Sequence, residues 1–212
     1  LGGETAEMPE MYAPGEYDLA GFCVGLVDNT RIVDGSSIRV GDSIIGIAST
    51  GLHSNGYSLA RKVLAQSGLN GNDPLPGSDR TVAEVLLEPT AIYVDIVRSV
   101  MRDFAIKGMV HVTGGGFYDN IPRVLPATVE AHIDFGSWTV PPVFNWLLAQ
   151  GNLTWPEMLQ IFNCGIGYIM IVSPDVCDEV LGRVNAMHAE AWRIGSIGRR
   201  RDKAAEQVQV AF

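Results

Sequence analysis

From Asp42 onward the chain alternates between short apolar runs rich in Val and Ile and longer stretches whose apolar residues recur at helical spacing. Strand faces and amphipathic helices each need another element to bury them, so this order predicts a sheet packed with helices. Strands are expected at 43–49, 108–112, 128–134, 166–172 and 190–198, and helices at 56–67, 115–125, 141–150, 154–162 and 175–187. Gly68 is a natural C-cap, and Pro142 and Pro156 fall near helix starts, where a missing N–H costs nothing. The stretch 80–104 predicts two helices split at Pro89, with Thr90 capping the second and Ile92, Ile96, Val97 and Val100 on its apolar face. The fold class expected is α+β, an α/β sandwich with a mixed sheet.

The two ends differ from this middle. Residues 1–17 are rich in Gly, Pro, Glu and Met without a period and read as loop. The run 19-LAGFCVGLVD-28 predicts a buried strand, followed by turn signals up to Asp42. One or two strands make no sheet of their own, so this piece is expected to belong to a larger domain. The chain opens Leu1-Gly2-Gly3 with no Met, which reads as a fragment. After Arg199 the tail is charged and is expected to be partly disordered.

A formal net charge of −9 leaves no general basic field to hold DNA, RNA or an acidic membrane, so an anion has to be held locally. Cys23, Cys164 and Cys177 show no CxxC spacing and are odd in number, which predicts neither a zinc site nor a disulfide framework and fits the cytoplasm. No apolar run reaches the roughly 18–20 residues a membrane span needs.

Two glycine-rich turns carry the chemistry. In 110-VHVTGGGFYDN-120 and in 47-IASTGLHSNGYSLARK-62 a strand runs through small residues into a helix, where several N–H groups converge and the helix dipole adds positive charge. Gly114, Gly115 and Gly116 remove side chains that would hold a phosphate away, and Thr113 adds a hydroxyl. Ser49, Thr50, Gly51, Ser54, Asn55 and Gly56 supply the same elements in the other turn. Backbone N–H groups bind an anion without net basic charge; the same glycines can also serve only as tight connections. Neither turn is GxxxxGK[ST] or GxGxxG.

His53 lies inside the first turn and His111 just before the second, both placed to donate to a phosphate or to move a proton near neutral pH. His132 and His188 read as structural, and the four tryptophans as core or lid. Glu4 and Glu7 in the opening loop are candidate Mg²⁺ ligands, although loop carboxylates are usually only solvated. Cys164 has no electropositive neighbour in sequence and is expected to be buried and inert.

Taken together, GGETAEMPEMY at 2–12, AGFCVG at 20–25, STGLHSNGYSLARK at 49–62, LLEPTAIYV at 86–94, HVTGGGFYDNIPRVLP at 111–126, PPVFNWL at 141–147 and FNCGIGYIMIV at 162–172 resemble the phosphoribosylformylglycinamidine cyclo-ligases, or aminoimidazole ribonucleotide synthetases. The resemblance implies an ATP-dependent ring closure in purine biosynthesis. ATP phosphorylates the amide oxygen of formylglycinamidine ribonucleotide, an amidine nitrogen attacks the activated carbon, and phosphate leaves. It implies a cytoplasmic homodimer using ATP and Mg²⁺, with phosphates at the two glycine turns and His53 and His111 as catalytic candidates. It also implies that 1–40 is the remnant of an N-terminal ATP-binding and dimerisation domain and 41–212 the C-terminal α/β domain, inactive alone because the site forms between domains.

Two other readings remain at this level. One is another ATP-using member of the superfamily, such as a selenophosphate synthetase, a thiamine-phosphate kinase, a hydrogenase maturation protein or formylglycinamidine ribonucleotide synthetase. The second is a noncatalytic phosphate-binding module whose glycine turns are scaffold.

Overall fold

β-Branched residues fill the centre of a six-stranded sheet in the computed structural model, which describes residues 11–202 and 204–212. The strands are β1 (Ser43–Ala48), β2 (Ile106–His111), β3 (Val129–Asp134), β4 (Ile166–Val172), β5 (Ala191–Arg199) and β6 (Val208–Ala211), in the order β2-β4-β1-β5-β3-β6. All pairs are antiparallel except β3–β6, so the sheet is mixed as expected. In β1, Ile44, Ile45 and Ile47 are completely buried, because helices cover both faces. Gly46 lets β1 lie close to its neighbours: a methyl there would come within 2.9 Å of Ile194 and 3.0 Å of Ile166.

The helices are α1 (Tyr57–Ser67), α2 (Val82–Leu86), α3 (Val94–Asp103), α4 (Gly116–Asn120), α5 (Pro142–Gly151), α6 (Trp155–Ile161) and α7 (Cys177–Ala186). Two apolar layers result. On one face Ile45, Ile47, Met170 and Val172 pack with Val100 of α3 and Val180 and Val184 of α7. On the other, Ile44, Ile169, Ile171 and Ile194 pack with Val63 of α1, Phe117 of α4, Phe144 of α5 and Leu159 of α6. Helix ends follow local chemistry: Gly68 closes α1 at φ 75°, Pro142 opens α5, and Thr81–Glu84 and Thr154–Glu157 form capping boxes at α2 and α6.

The chain divides into two compact units after Ile32. In the first, residues 11–32 are exposed, and Asp28 caps a 3₁₀ turn at Asn29–Arg31 by accepting from the Thr30 N–H at 2.8 Å. The strand expected at 19–28 is not formed. Leu19, Phe22, Val24 and Leu26 stand 84–102% exposed, and among the described residues no strand pairs with this segment. A strand without a ladder partner leaves its backbone groups to water.

Two further expectations change. The tail after Arg199 contains β6, which pairs with β3 and buries Val208. Thr90 does not cap α3; its N-cap is Tyr93, with no side-chain cap. Residues 89–91 are instead tied to the first glycine turn, through the Pro89 carbonyl and the Ala91 N–H. The helix therefore starts later than the sequence predicts, and Ile92 stands 83% exposed ahead of it rather than on its apolar face.

Candidate functional site

Sheet topology brings the two glycine turns together. β4 runs antiparallel to both β1 and β2, so those two strands point the same way and end on either side of the start of β4, with Ala48 opposite Ile166 and His111 opposite Tyr168. The turn after β1 and the turn after β2 consequently share one end of the sheet. They approach closely: a methyl on Gly114 would lie 3.5 Å from Asn55 Oδ1.

Most polar side chains of the first turn hold the turn itself. The Ser49 hydroxyl donates to Asn163 Oδ1 at 2.9 Å, and Asn163 Nδ2 donates to the Gly51 carbonyl at 2.8 Å. The Thr50 hydroxyl donates to the Pro89 carbonyl at 2.6 Å, and Asn55 Nδ2 to the His53 carbonyl at 2.6 Å. His53 and Ser54 adopt left-handed backbone angles, φ 54° and 60°, uncommon for residues with a Cβ and often found where a turn is shaped for binding. Ser54 is exposed. Gly56, φ 74°, opens α1 with no side-chain cap and presses on Phe162, whose ring any side chain would strike.

His53 is buried, at 3% exposure. Its Nε2 lies 3.0 Å from the Thr50 N–H, 3.3 Å from the Ala91 N–H and 2.9 Å from the Thr50 hydroxyl, and the two backbone donors favour the tautomer that carries its proton on Nδ1. Nδ1 is buried and has no partner among the described residues. Burial first, and the neighbouring His111 second, hold this imidazole at a pKa of about 4, neutral near pH 7. His53 thus acts as a fixed acceptor that ties the turn to the segment before α3.

His111 is exposed, the other half of an aromatic group centred on Tyr93. The Tyr93 ring stands 6.0 Å from His53, 6.3 Å from His111 and 5.2 Å from Tyr168. Its hydroxyl donates to the Ala48 carbonyl at 2.7 Å, and burial pushes its pKa upward. A side chain at Gly167 would collide with that hydroxyl and with the His53 ring. The glycine in 163-NCGIGY-168 therefore makes room for the cluster. Of the two histidines, His111 is the one solvent can reach for proton exchange.

The second turn is organised by Asn120. The Thr113 hydroxyl donates to Asn120 Oδ1 at 3.1 Å, and Asn120 Nδ2 donates to the carbonyls of Gly114 at 3.1 Å and Gly116 at 2.7 Å. The Gly116 N–H donates to the Thr113 carbonyl at 3.0 Å, closing the turn on itself. Gly115 and Gly116 have φ 90° and 55°. Gly116 meets the Leu159 carbonyl of α6 so closely that a methyl would overlap it, while Gly115 faces the Asp119 carboxylate. Like α1, α4 starts at a left-handed glycine without a side-chain cap.

Glu4 and Glu7 lie outside the described residues. Among the described residues no group of three or more His, Cys, Asp or Glu stands together. Cys164 is buried, its thiol pushed upward by burial, as the sequence predicts for an inert cysteine. The sequence reading missed Asn120, Asn163 and Tyr93. Asn120 and Asn163, each 2% exposed, are buried amides that only a hydrogen-bond network retains. The signal open to reading was an asparagine beside each glycine group.

Residues 39–207 match the family described as AIR synthase related protein, C-terminal domain. Over all 212 residues the chain is 65% identical to the phosphoribosylformylglycinamidine cyclo-ligase of Oleidesulfovibrio alaskensis and 56% identical to that of Lawsonia intracellularis, spanning 60% of the length of each. Among solved structures it is similar to a thiamine-monophosphate kinase from Stenotrophomonas maltophilia (TM-score 0.57, 18% identity, 87% of this chain and 54% of that one). It is also similar to the hydrogenase maturation protein HypE in complex with ATP (TM-score 0.55, 17% identity, 84% and 50%). At such identities the structural likeness shows the fold alone. With the family match over most of its length, the chain belongs to the AIR synthase related family, whose C-terminal domain residues 39–207 form.

Proposed function

We propose that this chain is the C-terminal part of an ATP-dependent cyclo-ligase that closes the imidazole ring of formylglycinamidine ribonucleotide to give aminoimidazole ribonucleotide. The observation that carries the reading is 65% identity, over every residue of this chain, to a protein of that name. ATP phosphorylates the amide oxygen, an amidine nitrogen attacks the activated carbon, and inorganic phosphate leaves with the oxygen. Such chemistry asks the protein to position reactants and to stabilise charge on phosphoryl oxygens.

The geometry supports that division of labour. The turns at 49–56 and 113–116 sit side by side, and both lead into helices whose first N–H groups have no side-chain cap. Their N–H groups are proposed to hold phosphate oxygens of substrate or nucleotide. His111 is proposed to donate to the reacting groups or to accept the proton released at the attacking nitrogen. His53 holds the first turn in shape. ATP as co-substrate is consistent with a structural neighbour solved with ATP. Mg²⁺ is proposed to be held by carboxylates outside the described residues, Glu4 among them. The full-length protein is proposed to be a cytoplasmic homodimer, with residues 1–40 belonging to its N-terminal domain.

The test is ATP-dependent formation of aminoimidazole ribonucleotide, measured on the protein at the full length of its relatives and on this 212-residue chain alone. Turnover by the longer protein and none by the chain is expected. No turnover by the longer protein overturns the cyclo-ligase reading, and turnover by the chain alone overturns the site between domains.

A further inference from the structure

Beside the ends of β2 and β4, on the α3 side of the sheet, lies a cavity of about 440 Å³. Its two walls differ in kind. One is aromatic: His111 and Tyr168 are cross-strand neighbours with rings 29° from parallel and centroids 6.3 Å apart. The other is aliphatic, made by Ala91, Val94 and Val97 from the approach to α3 and its first turn. Arg98 is exposed at the same cavity, so a guanidinium, the His111 imidazole and the Tyr168 phenol are polar groups of a lining that is otherwise largely apolar. The Tyr93 hydroxyl is already committed to the Ala48 carbonyl.

A lining that combines aromatic and aliphatic side chains suits a flat ring, which can stack on the first and bury contact area against the second. The volume is that of a small-molecule site. A guanidinium fork matches a phosphate better than it matches a neutral group. We propose that this slot seats a planar nitrogen heterocycle carried on a ribose phosphate, its ring against Tyr168 and His111 and its phosphate toward Arg98. The proposal rests on the cyclo-ligase reading for the two sources of such a group, the adenine nucleotide consumed and the imidazole ribonucleotide formed. It adds to that reading a place, next to both glycine turns, where one of them lies.

The experiment is equilibrium binding of ATP and, separately, of aminoimidazole ribonucleotide to the protein at the full length of its relatives. Parent, Tyr168→Phe, Tyr168→Ala, Val97→Trp and Arg98→Gln are compared. Tyr168→Phe keeps the ring and is expected to bind both ligands as the parent does. Tyr168→Ala removes the stacking face and Val97→Trp fills the slot; each is expected to weaken one ligand about tenfold or more and leave the other within about twofold. Which ligand weakens distinguishes adenine from imidazole. Arg98→Gln is expected to weaken that same ligand. Parent-like binding of both ligands by Val97→Trp, or no binding of either by the parent, overturns the proposal. Val97→Trp and Arg98→Gln decide the matter should Tyr168→Ala fail to fold. Binding is read without turnover, so slot binding in a protein that closes no ring sinks the cyclo-ligase reading alone. Turnover with binding indifferent to Val97→Trp sinks the slot alone.

Discussion

His53 Nε2 accepts a hydrogen bond from the Ala91 N–H at 3.3 Å, across 38 positions of sequence, while accepting another from Thr50 only three residues away. A single imidazole thereby sets the distance between the first glycine turn and the approach to α3. The arrangement requires the neutral ring, since a proton on Nε2 would face two donors.

That requirement gives a pH dependence of known sign. The native imidazole titrates near 4, below the roughly 6.5 of an unfolded chain, so as pH falls the unfolded state takes up the proton first. Stability from this group is complete above about pH 6.5 and is lost between there and about 4, by on the order of 3 kcal/mol at the low end. Urea unfolding across that window is expected to show the loss in the parent and a shallower slope in His53→Gln. Nitrogen-resolved NMR is expected to find Nδ1 protonated at pH 7. A native midpoint near 6.5 would count against the fixed-acceptor role.

Asn163 joins its own turn to the first glycine turn. Its Oδ1 accepts from Ser49 Oγ and from the Gly165 N–H, both at 2.9 Å, and its Nδ2 donates to Gly51. Asn163→Ala strands a buried carbonyl and a buried N–H, and a loss of about 2–4 kcal/mol is expected in denaturant unfolding. Asn163→Asp keeps the acceptor and loses the donor, yet places a charge in a buried site; it should not rescue. A change under about 0.5 kcal/mol for the alanine variant would show that the clamp is dispensable.

Two left-handed glycines separate backbone strain from crowding. Gly68, φ 75°, has open space where a Cβ would go, whereas at Gly116, φ 55°, the Cβ would overlap the Leu159 carbonyl. Gly68→Ala is expected to cost about 1–2 kcal/mol from the backbone alone. Gly116→Ala is expected to cost clearly more, and to shift α6 away from the second turn. Equal melting temperatures for the two variants would contradict the close approach of α4 and α6.

Tyr93→Phe keeps the ring between the two histidines and removes the donor to Ala48. A loss of about 1–2 kcal/mol is expected, because the carbonyl at the end of β1 is left without that partner. Slower hydrogen exchange than the parent in the segment around Ala48 would be the wrong sign for this account.

Local features were readable from residue types. The apolar runs of β1 and β4, the C-cap at Gly68 and the proline at the start of α5 depend on neighbours within a turn or two, and each formed where the sequence predicts it. The two glycine groups were likewise visible, because a bare backbone between a strand and a helix is a local signature. Residues 19–28 misled for the opposite reason. Their composition is that of a strand, but a strand exists only with a partner, and Phe22 and Leu26 lie open to solvent.

What the sequence by itself determined is therefore the family, the order of strands and helices between Asp42 and Arg199, and the two glycine turns; the tertiary structure decided which side chains hold those turns in shape. Ser49 and Asn163 are 114 positions apart, and nothing in either segment indicates the other. His53 looked like a proton-transfer candidate from its place in the turn. Burial, with two backbone donors converging on Nε2, made it a neutral clamp, while the equally plain His111 stayed open to solvent. The physical reason is that hydrogen-bond partners and desolvation come from chain segments brought together by the sheet, with β4 inserted between β1 and β2, and protonation follows from that surrounding rather than from residue type.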